Sequence, residues 1–297
     1  MDNCERSGVV AIIGRPNVGK STLQNQVLGK KLSITSRKPQ TTRQRIIGIK
    51  TEGDSQVVYV DTPGLHQGEK KALNRYMNRV ARSTLQEVDV VVFIVQALQW
   101  TSQDEAILSY LAEVTVPVVL VINKIDLVKN KAELLPYVEM VSSKFSFQQV
   151  IPVSAKQALQ VDVFESQIDK LLPSGPMMYP ADQVTDRSDR FIVTEFVREK
   201  LTRQLGEELP YSLAVTVDIM EEETSILRVA CVIWVEKSSQ KQIVIGHKGA
   251  RIKQVGITAR EDLERYFDKQ VFLQLWVKIK TGWSDDSQSL TDFGYSE

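Results

Sequence analysis

Eight consecutive residues, Gly14-Arg15-Pro16-Asn17-Val18-Gly19-Lys20-Ser21, fit the phosphate-loop pattern G-x-x-x-x-G-K-[ST] at every position. Such a loop works only between a buried strand and the start of a helix. Both flanks comply. Residues 8–14 form a short apolar run of the kind that makes a buried parallel strand. Downstream, Leu23, Val27 and Leu28 share one helical face, and Gly29 offers a stop. Gly14 and Gly19 let the backbone curl so that the N–H groups of Arg15 and of Asn17 to Ser21, with Thr22 beside them and Pro16 offering none, converge on phosphate oxygens. Lys20 adds a point charge facing the β/γ-phosphates, and the Ser21 hydroxyl is placed to coordinate magnesium.

A basic, hydroxyl-rich loop follows over residues 33–43. A threonine in such a loop reaches the metal and senses a γ-phosphate. Thr41 and Thr42 both qualify, and Thr42 is preferred. Residues 45–50 and 56–60 flank Glu52-Gly53-Asp54-Ser55 as a hairpin, whose second strand delivers Asp61-Thr62-Pro63-Gly64. A carboxylate at that strand end suits magnesium, and Gly64 can bring its N–H close to a phosphate. Leu65 occupies the position where Ras-type enzymes carry a water-orienting glutamine.

Two further apolar runs, residues 88–95 and 117–122, read as core strands, and the second ends in Asn123-Lys124-Ile125-Asp126. The Asp126 carboxylate can accept from both N1–H and the exocyclic amine of guanine, and adenine offers no such donor pair. Asn123 can bridge to the phosphate loop, and the Lys124 stem can cover the base. A last strand leads into Ser154-Ala155-Lys156, where the Ala155 N–H is expected to donate to guanine O6. Strands and helices alternating in this way indicate an α/β fold with a doubly wound, mostly parallel sheet, its ligand at the strand C-termini.

The chain has 297 residues, which suggests two domains. Residues 172–180 carry three prolines and a glycine and break all periodicity. The expected division is a nucleotide domain over 1–173, a linker over 174–190, a second domain over 191–283 and a tail over 284–297. The second domain reads helix, strand, strand, helix, loop, helix, strand, with Gly246-His247-Lys248-Gly249 as the loop. Ile245 and Ile252 flank that loop and are expected to anchor two helices in the core. This is the layout of a bacterial-type (type II) KH domain, an α+β module whose GxxG loop clamps an RNA backbone. Ile245, Gly246, His247, Lys248, Gly249, Arg251 and Lys253 are the expected RNA contacts. Formal net charge is zero, yet residues 22–51 hold seven basic residues and no acid, and residues 237–260 hold six and no acid. Two such stretches in a neutral chain point to two polyanion sites.

Cys4 and Cys231, far apart in sequence, suggest neither a disulfide framework nor a zinc site. The N-terminus lacks the form of a signal peptide, and no run approaches the roughly 18 apolar residues of a membrane span. A reducing cytoplasm is the expected compartment.

Taken together, Gly14–Ser21, residues 40–43, Asp61–Gly64, Asn123–Asp126 and Ser154–Lys156 resemble the five nucleotide motifs of the bacterial Era family of GTPases. Residues 243–253 with 256–260 are similar to its KH signature, and residues 275–283 to its C-terminal strand. The resemblance spans nearly the whole chain. It implies a P-loop GTPase domain that uses GTP/GDP and Mg2+, with Lys20 and Thr42 as its catalytic residues and Ser21, Thr42 and Asp61 around the metal. It also implies a KH domain that binds the 3′ end of 16S rRNA during assembly of the 30S ribosomal subunit. The implied protein is a monomer without a DNA partner, occasionally attached peripherally to the inner membrane. Alternatives are an RNA-binding module with a structural nucleotide, or a GTPase of tRNA modification or 50S assembly.

Overall fold

The computed structural model describes residues 5–36, 38, 41–64, 72–206, 209 and 213–295. Leu65, which bears on water positioning, lies outside them, as does Gln40. The chain divides into two compact units. One comprises Met1–Ser33, Thr42–Gln67 and Met77–Asp186; the other comprises Ile34–Thr41, Gly68–Tyr76 and Arg187–Glu297.

The first unit is built on a six-stranded sheet of order β2-β3-β1-β4-β5-β6. Its strands are β1 (Arg6–Ile13), β2 (Ile46–Glu52), β3 (Ser55–Asp61), β4 (Val90–Gln96), β5 (Val118–Asn123) and β6 (Gln149–Pro152). Only the β2–β3 pairing is antiparallel, as the hairpin at residues 52–55 requires. Around the sheet lie α1 (Lys20–Leu28), α3 (Ser102–Leu111), α4 (Leu134–Ser142) and α5 (Val161–Leu171), while α2 (Ala72–Thr84) belongs to this unit only from Met77 onward.

Period-two alternation explains how one strand serves two cores. Val10 and Ile12 of β1 pack with Leu23 of α1 and with Phe164 and Ile168 of α5. Ala11 and Ile13 pack on the other face with Ile107 of α3 and Val141 of α4. Each fully buried Val, Leu or Ile contributes about 1.5–3 kcal/mol. The strands with both faces covered are therefore the uninterrupted apolar runs of the sequence. Because β1 neighbours β3 on one side and β4 on the other, the loop after β1 opens at the sheet's switch point.

Two glutamines that periodicity leaves unremarked organise this unit. Gln24 is fully buried in α1, donates to the Ile46 and Tyr59 carbonyls (3.0 and 3.1 Å) and accepts from the Ser33 hydroxyl. Gln56 accepts from the Met178 and Tyr179 N–H groups and donates to the Tyr179 carbonyl. With Ile49 N–H donating to Val184 O and the Thr185 hydroxyl to Ile47 O, the Pro-rich stretch after α5 runs along the free edge of β2. An edge strand is thereby covered.

The second unit contains α6 (Asp189–Gln204), β7 (Leu213–Glu222), β8 (Ile226–Val235), α7 (Ser238–Ile245), α8 (Ala250–Phe267), β9 (Gln270–Ile279) and α9 (Ser287–Asp292). Its sheet runs β7-β8-β9, with β7–β8 antiparallel and β8–β9 parallel. The element order is the one read from the sequence. One detail is corrected. Ile245 and Ile252 are only half-buried, and Val244 and Val255 are the fully buried residues beside the loop. The loop turns the helix ends so that the core-facing position falls one residue before Ile245 and three after Ile252.

Helix α6 buries charge as well as apolar surface. Arg198 holds Glu195 at 2.6 Å and also donates to the Thr41 carbonyl. Glu199 accepts from the Thr35 N–H at 2.8 Å, and Lys200 pairs with Asp262 of α8. Leu290 and Tyr295 are buried, as is Trp283 just before them, so the stretch read as a tail carries α9 and part of the core. Among the described residues, no helix is long and apolar enough to cross a membrane.

Candidate functional site

Gly19 shows why the loop after β1 needs a glycine. Its φ is 107°, and a Cβ there would fall 2.2 Å from Asn123 Nδ2. That amide instead donates to the Val18 carbonyl at 2.8 Å. Asn123 Oδ1 accepts from the Ala155 N–H at 3.0 Å. One side chain thus ties the loop after β1 to the loop after β6. The bridge to the phosphate loop is as expected from the sequence. The Ala155 N–H, expected to face guanine O6, is already bonded to Asn123, because that amide lies between the two loops.

Lys20 is buried, with Nζ donating to the Gly14 and Arg15 carbonyls at 3.0 and 3.2 Å. Burial lowers its pKa to about 8, against the pull of the Asp61 carboxylate. Desolvation pushes Asp61 the other way, upward, opposed by Lys20 and by hydrogen bonds from Ser21 and Thr42.

Ser21 Oγ donates to Asp61 Oδ2 at 2.6 Å, and Thr42 Oγ1 lies 3.0 Å from Ser21 Oγ and 3.2 Å from Asp61 Oδ2. Thr41 Oγ1 is turned away, donating to the Lys38 carbonyl. Of the two candidate threonines, Thr42 is the one on this cluster. Asp61 Oδ1 is buried without a hydrogen-bond partner. Two hydroxyls and a carboxylate with an orphaned oxygen are a hard-oxygen donor set, which fits magnesium. No cluster of three His, Cys, Asp or Glu among the described residues offers an all-protein metal cage. The single Asp61 carboxylate suits Mg2+, which takes one or two carboxylates and completes its shell with water and phosphate. The Thr62 hydroxyl donates to the Ile12 carbonyl, and Pro63 and Gly64 are buried beside the loop.

At the other end, Ser154 Oγ donates to Asp126 Oδ1 at 2.6 Å, leaving Oδ2 for a ligand. Lys124 Nζ donates to Gln96 Oε1, and Lys156 is exposed. Sequence reasoning missed Asp104. Fully buried at the start of α3, it holds Arg15 Nε at 3.1 Å while capping the helix with Thr101. The Thr101-x-x-Asp104 spacing is a capping-box pattern and was the available signal.

In the second unit, Gly246 has φ 74° and ψ 176°, a glycine-only region, and a Cβ would meet Arg251 Cβ at 2.7 Å. The Arg251 guanidinium donates to the Ile243 carbonyl. His247, Lys248 and Lys253 are exposed around the turn, Ile245 and Gly249 less so.

Residues 9–124 match the family described as 50S ribosome-binding GTPase, and residues 208–284 match the KH domain. The chain is 57% identical over 290 residues to GTPase Era of Coxiella burnetii (strain Dugway 5J108-111), covering 98% of both chains. It is 52% identical to GTPase Era of Marinobacter nauticus, over 98% of this chain and 96% of that one. A variant of Aquifex aeolicus Era bound to GDP and AlF4− superimposes with a TM-score of 0.95 at 36% identity, over 98% of this chain and all of that one. Era in complex with MgGDPNP and nucleotides 1506–1542 of 16S ribosomal RNA gives the same TM-score and identity, over 99% and 100%.

Proposed function

Because the chain belongs to the Era family of GTPases, we propose that it is a GTP-driven switch that binds the 3′ end of 16S rRNA and assists assembly of the 30S subunit. The observation that carries the nucleotide half is the convergence of Ser21, Thr42 and Asp61 beside Lys20. The relative solved with a 16S rRNA segment supports the RNA half, at 36% identity over nearly the full chain.

In this reading the backbone from Gly14 to Thr22 cradles the phosphates, with Arg15 steadied by Asp104. Lys20, still mostly cationic at neutral pH with its pKa lowered to about 8 by burial, faces the β/γ-phosphates. Ser21, Thr42 and Asp61 hold Mg2+, which supplies neutralisation of charge developing on the transferred phosphoryl group. Thr42 registers the γ-phosphate, and Thr62, Pro63 and Gly64 form the opposing wall. Asp126, fixed by Ser154, accepts from guanine, Lys124 covers the base, and Asn123 with Ala155 and Lys156 shapes the pocket. In the KH unit, Gly246 and Gly249 let the RNA backbone approach while His247, Lys248, Arg251 and Lys253 meet phosphate and Ile245 lines the base groove. The protein acts as a cytoplasmic monomer without a DNA partner, and its family suggests occasional peripheral contact with the inner membrane.

Hydrolysis measured with and without small ribosomal subunits, beside Lys20→Ala, tests the switch. Lys20→Ala is expected to hydrolyse no GTP. Crosslinking and sequencing of bound RNA in the GTP and GDP states tests the target. Recovery of 16S 3′-end sequence in one state supports the reading, and state-independent binding without turnover means a structural nucleotide.

A further inference from the structure

The first unit has a second concave site, a cavity of about 550 Å3 at the end of the sheet where β1 and β3 begin. The nucleotide motifs follow the opposite strand ends. Its floor is the outer part of the β2–β3 hairpin, where Lys50 pairs with Val57 and Glu52 with Ser55 across the strands. Its wall is one stripe of α5. Asp162, Glu165 and Asp169 recur there at i, i+3 and i+7, a row about 10 Å long at 1.5 Å per residue.

Among the described residues, five carboxylates line this cavity against two cations, Arg6 and Lys50, in a chain with no net charge. Asp162 is exposed and makes no ion pair or hydrogen bond among the described residues. Lys50 shows what the groove accepts, since its ammonium sits on Glu165 and lies 3.3 Å from Glu52.

Tyr59 is an independent observation. Its side chain lines the cavity and is 1% exposed, with the ring against Phe164 at a centroid distance of 6.4 Å. Its hydroxyl has no hydrogen-bond partner among the described residues. Buried tyrosines ordinarily satisfy that hydroxyl. Here it opens at the base of the acidic row, with Glu165 and Asp169 near enough to raise its pKa further beyond the effect of burial.

We propose that this groove binds an organic polycation of the alkylammonium class, its ammonium groups on the α5 carboxylates and the Tyr59 hydroxyl and its methylene stems spanning between them. The carboxylates are strung along a line and do not converge, which suits spaced ammonium groups and not a metal ion. The same chemistry is presented by a free polyamine and by lysine side chains of a basic protein segment.

The test is titration of the full chain with spermidine, and separately with a short lysine-rich peptide, by calorimetry and amide chemical shifts. One saturable site is expected, with shifts confined to residues 50–59 and 162–169. Asp162→Lys is expected to weaken binding by about tenfold or more, and Tyr59→Phe by about threefold to tenfold. Guanine-nucleotide affinity should stay at wild type in both variants, confirming that the unit is folded. Spermidine binding alone identifies a free polyamine as the source, and peptide binding alone a protein partner. Binding by neither, or binding unchanged in Asp162→Lys or in Tyr59→Phe, overturns the proposal.

Discussion

Thr42 Oγ1 lies 3.2 Å from Asp61 Oδ2, while Thr41, one residue earlier, spends its hydroxyl on the Lys38 carbonyl. Adjacent threonines therefore have unequal parts. Thr42→Ala should lower Mg2+-dependent GTP hydrolysis by about 10- to 100-fold, the usual range for losing a group around a metal. Thr41→Ala should stay within a few-fold of wild type. Single-turnover hydrolysis across a magnesium series measures both, and equal effects would remove Thr42 from the metal site.

Asp126→Asn keeps an oxygen for the Ser154 hydroxyl and replaces the other carboxylate oxygen with a donor. Affinity for GTP should fall by about 10⁴-fold, the scale seen when a buried polar pair is mismatched. Xanthine nucleotides, which offer an acceptor at that position, should become the preferred ligands. Competition binding with the two bases decides the matter.

The two loop glycines of the KH unit should fail in different ways. Gly246→Ala meets Arg251 at 2.7 Å and a forbidden backbone region, so a loss of about 2–3 kcal/mol is expected. Gly249 has φ 78° but open space around its Cβ position, so Gly249→Ala should cost only about 1 kcal/mol. Gly249→Asp should fold and yet lose RNA binding, through negative charge facing a phosphate. Lys248→Ala should flatten the salt slope of RNA affinity by about one. Urea midpoints and RNA titrations separate these outcomes.

Cys231 is fully buried, and burial pushes its thiol from 9.0 up to about 12. The folded chain keeps that proton over a range where the unfolded chain releases it. The resulting stability is intact below pH 9 and lost as pH rises toward 12, by at most ~1.4 kcal/mol per unit. Comparing urea unfolding at pH 8 and pH 10, Cys231→Ala should show a shallower decline than wild type. The native thiol should also resist alkylation at pH 8 until the chain unfolds.

The sheet of the first unit was legible because its central strands are buried on both faces, leaving apolar runs such as residues 90–95. The nucleotide motifs were legible because each follows such a run directly. What sequence could not show were partners distant along the chain. Lys200 and Glu199 of α6 carry charges whose partners lie far along the chain, and are buried because Asp262 and Thr35 meet them. Gln24 looks like an ordinary helix residue until Ile46, Tyr59 and Ser33 fold over it. Ile245 and Ile252 looked like core anchors by symmetry about Gly246–Gly249, but the chain reverses there through glycine-specific backbone angles that shift the buried face to Val244 and Val255.

Asn123 bonds the Val18 carbonyl with one end of its amide and the Ala155 N–H with the other. Three loops, following β1, β5 and β6, are thus prevented from drifting independently over evolutionary time. An insertion beside Asn123 would displace both bonds at once, and one beside Val18 or Ala155 would displace the bond that ends there. Length variation should instead accumulate where no such amide reaches, as in the exposed turn around residues 129–133 before α4. A library of single-residue insertions, sorted for GTP binding, would map this as tolerance at that turn and intolerance beside Val18, Asn123 and Ala155.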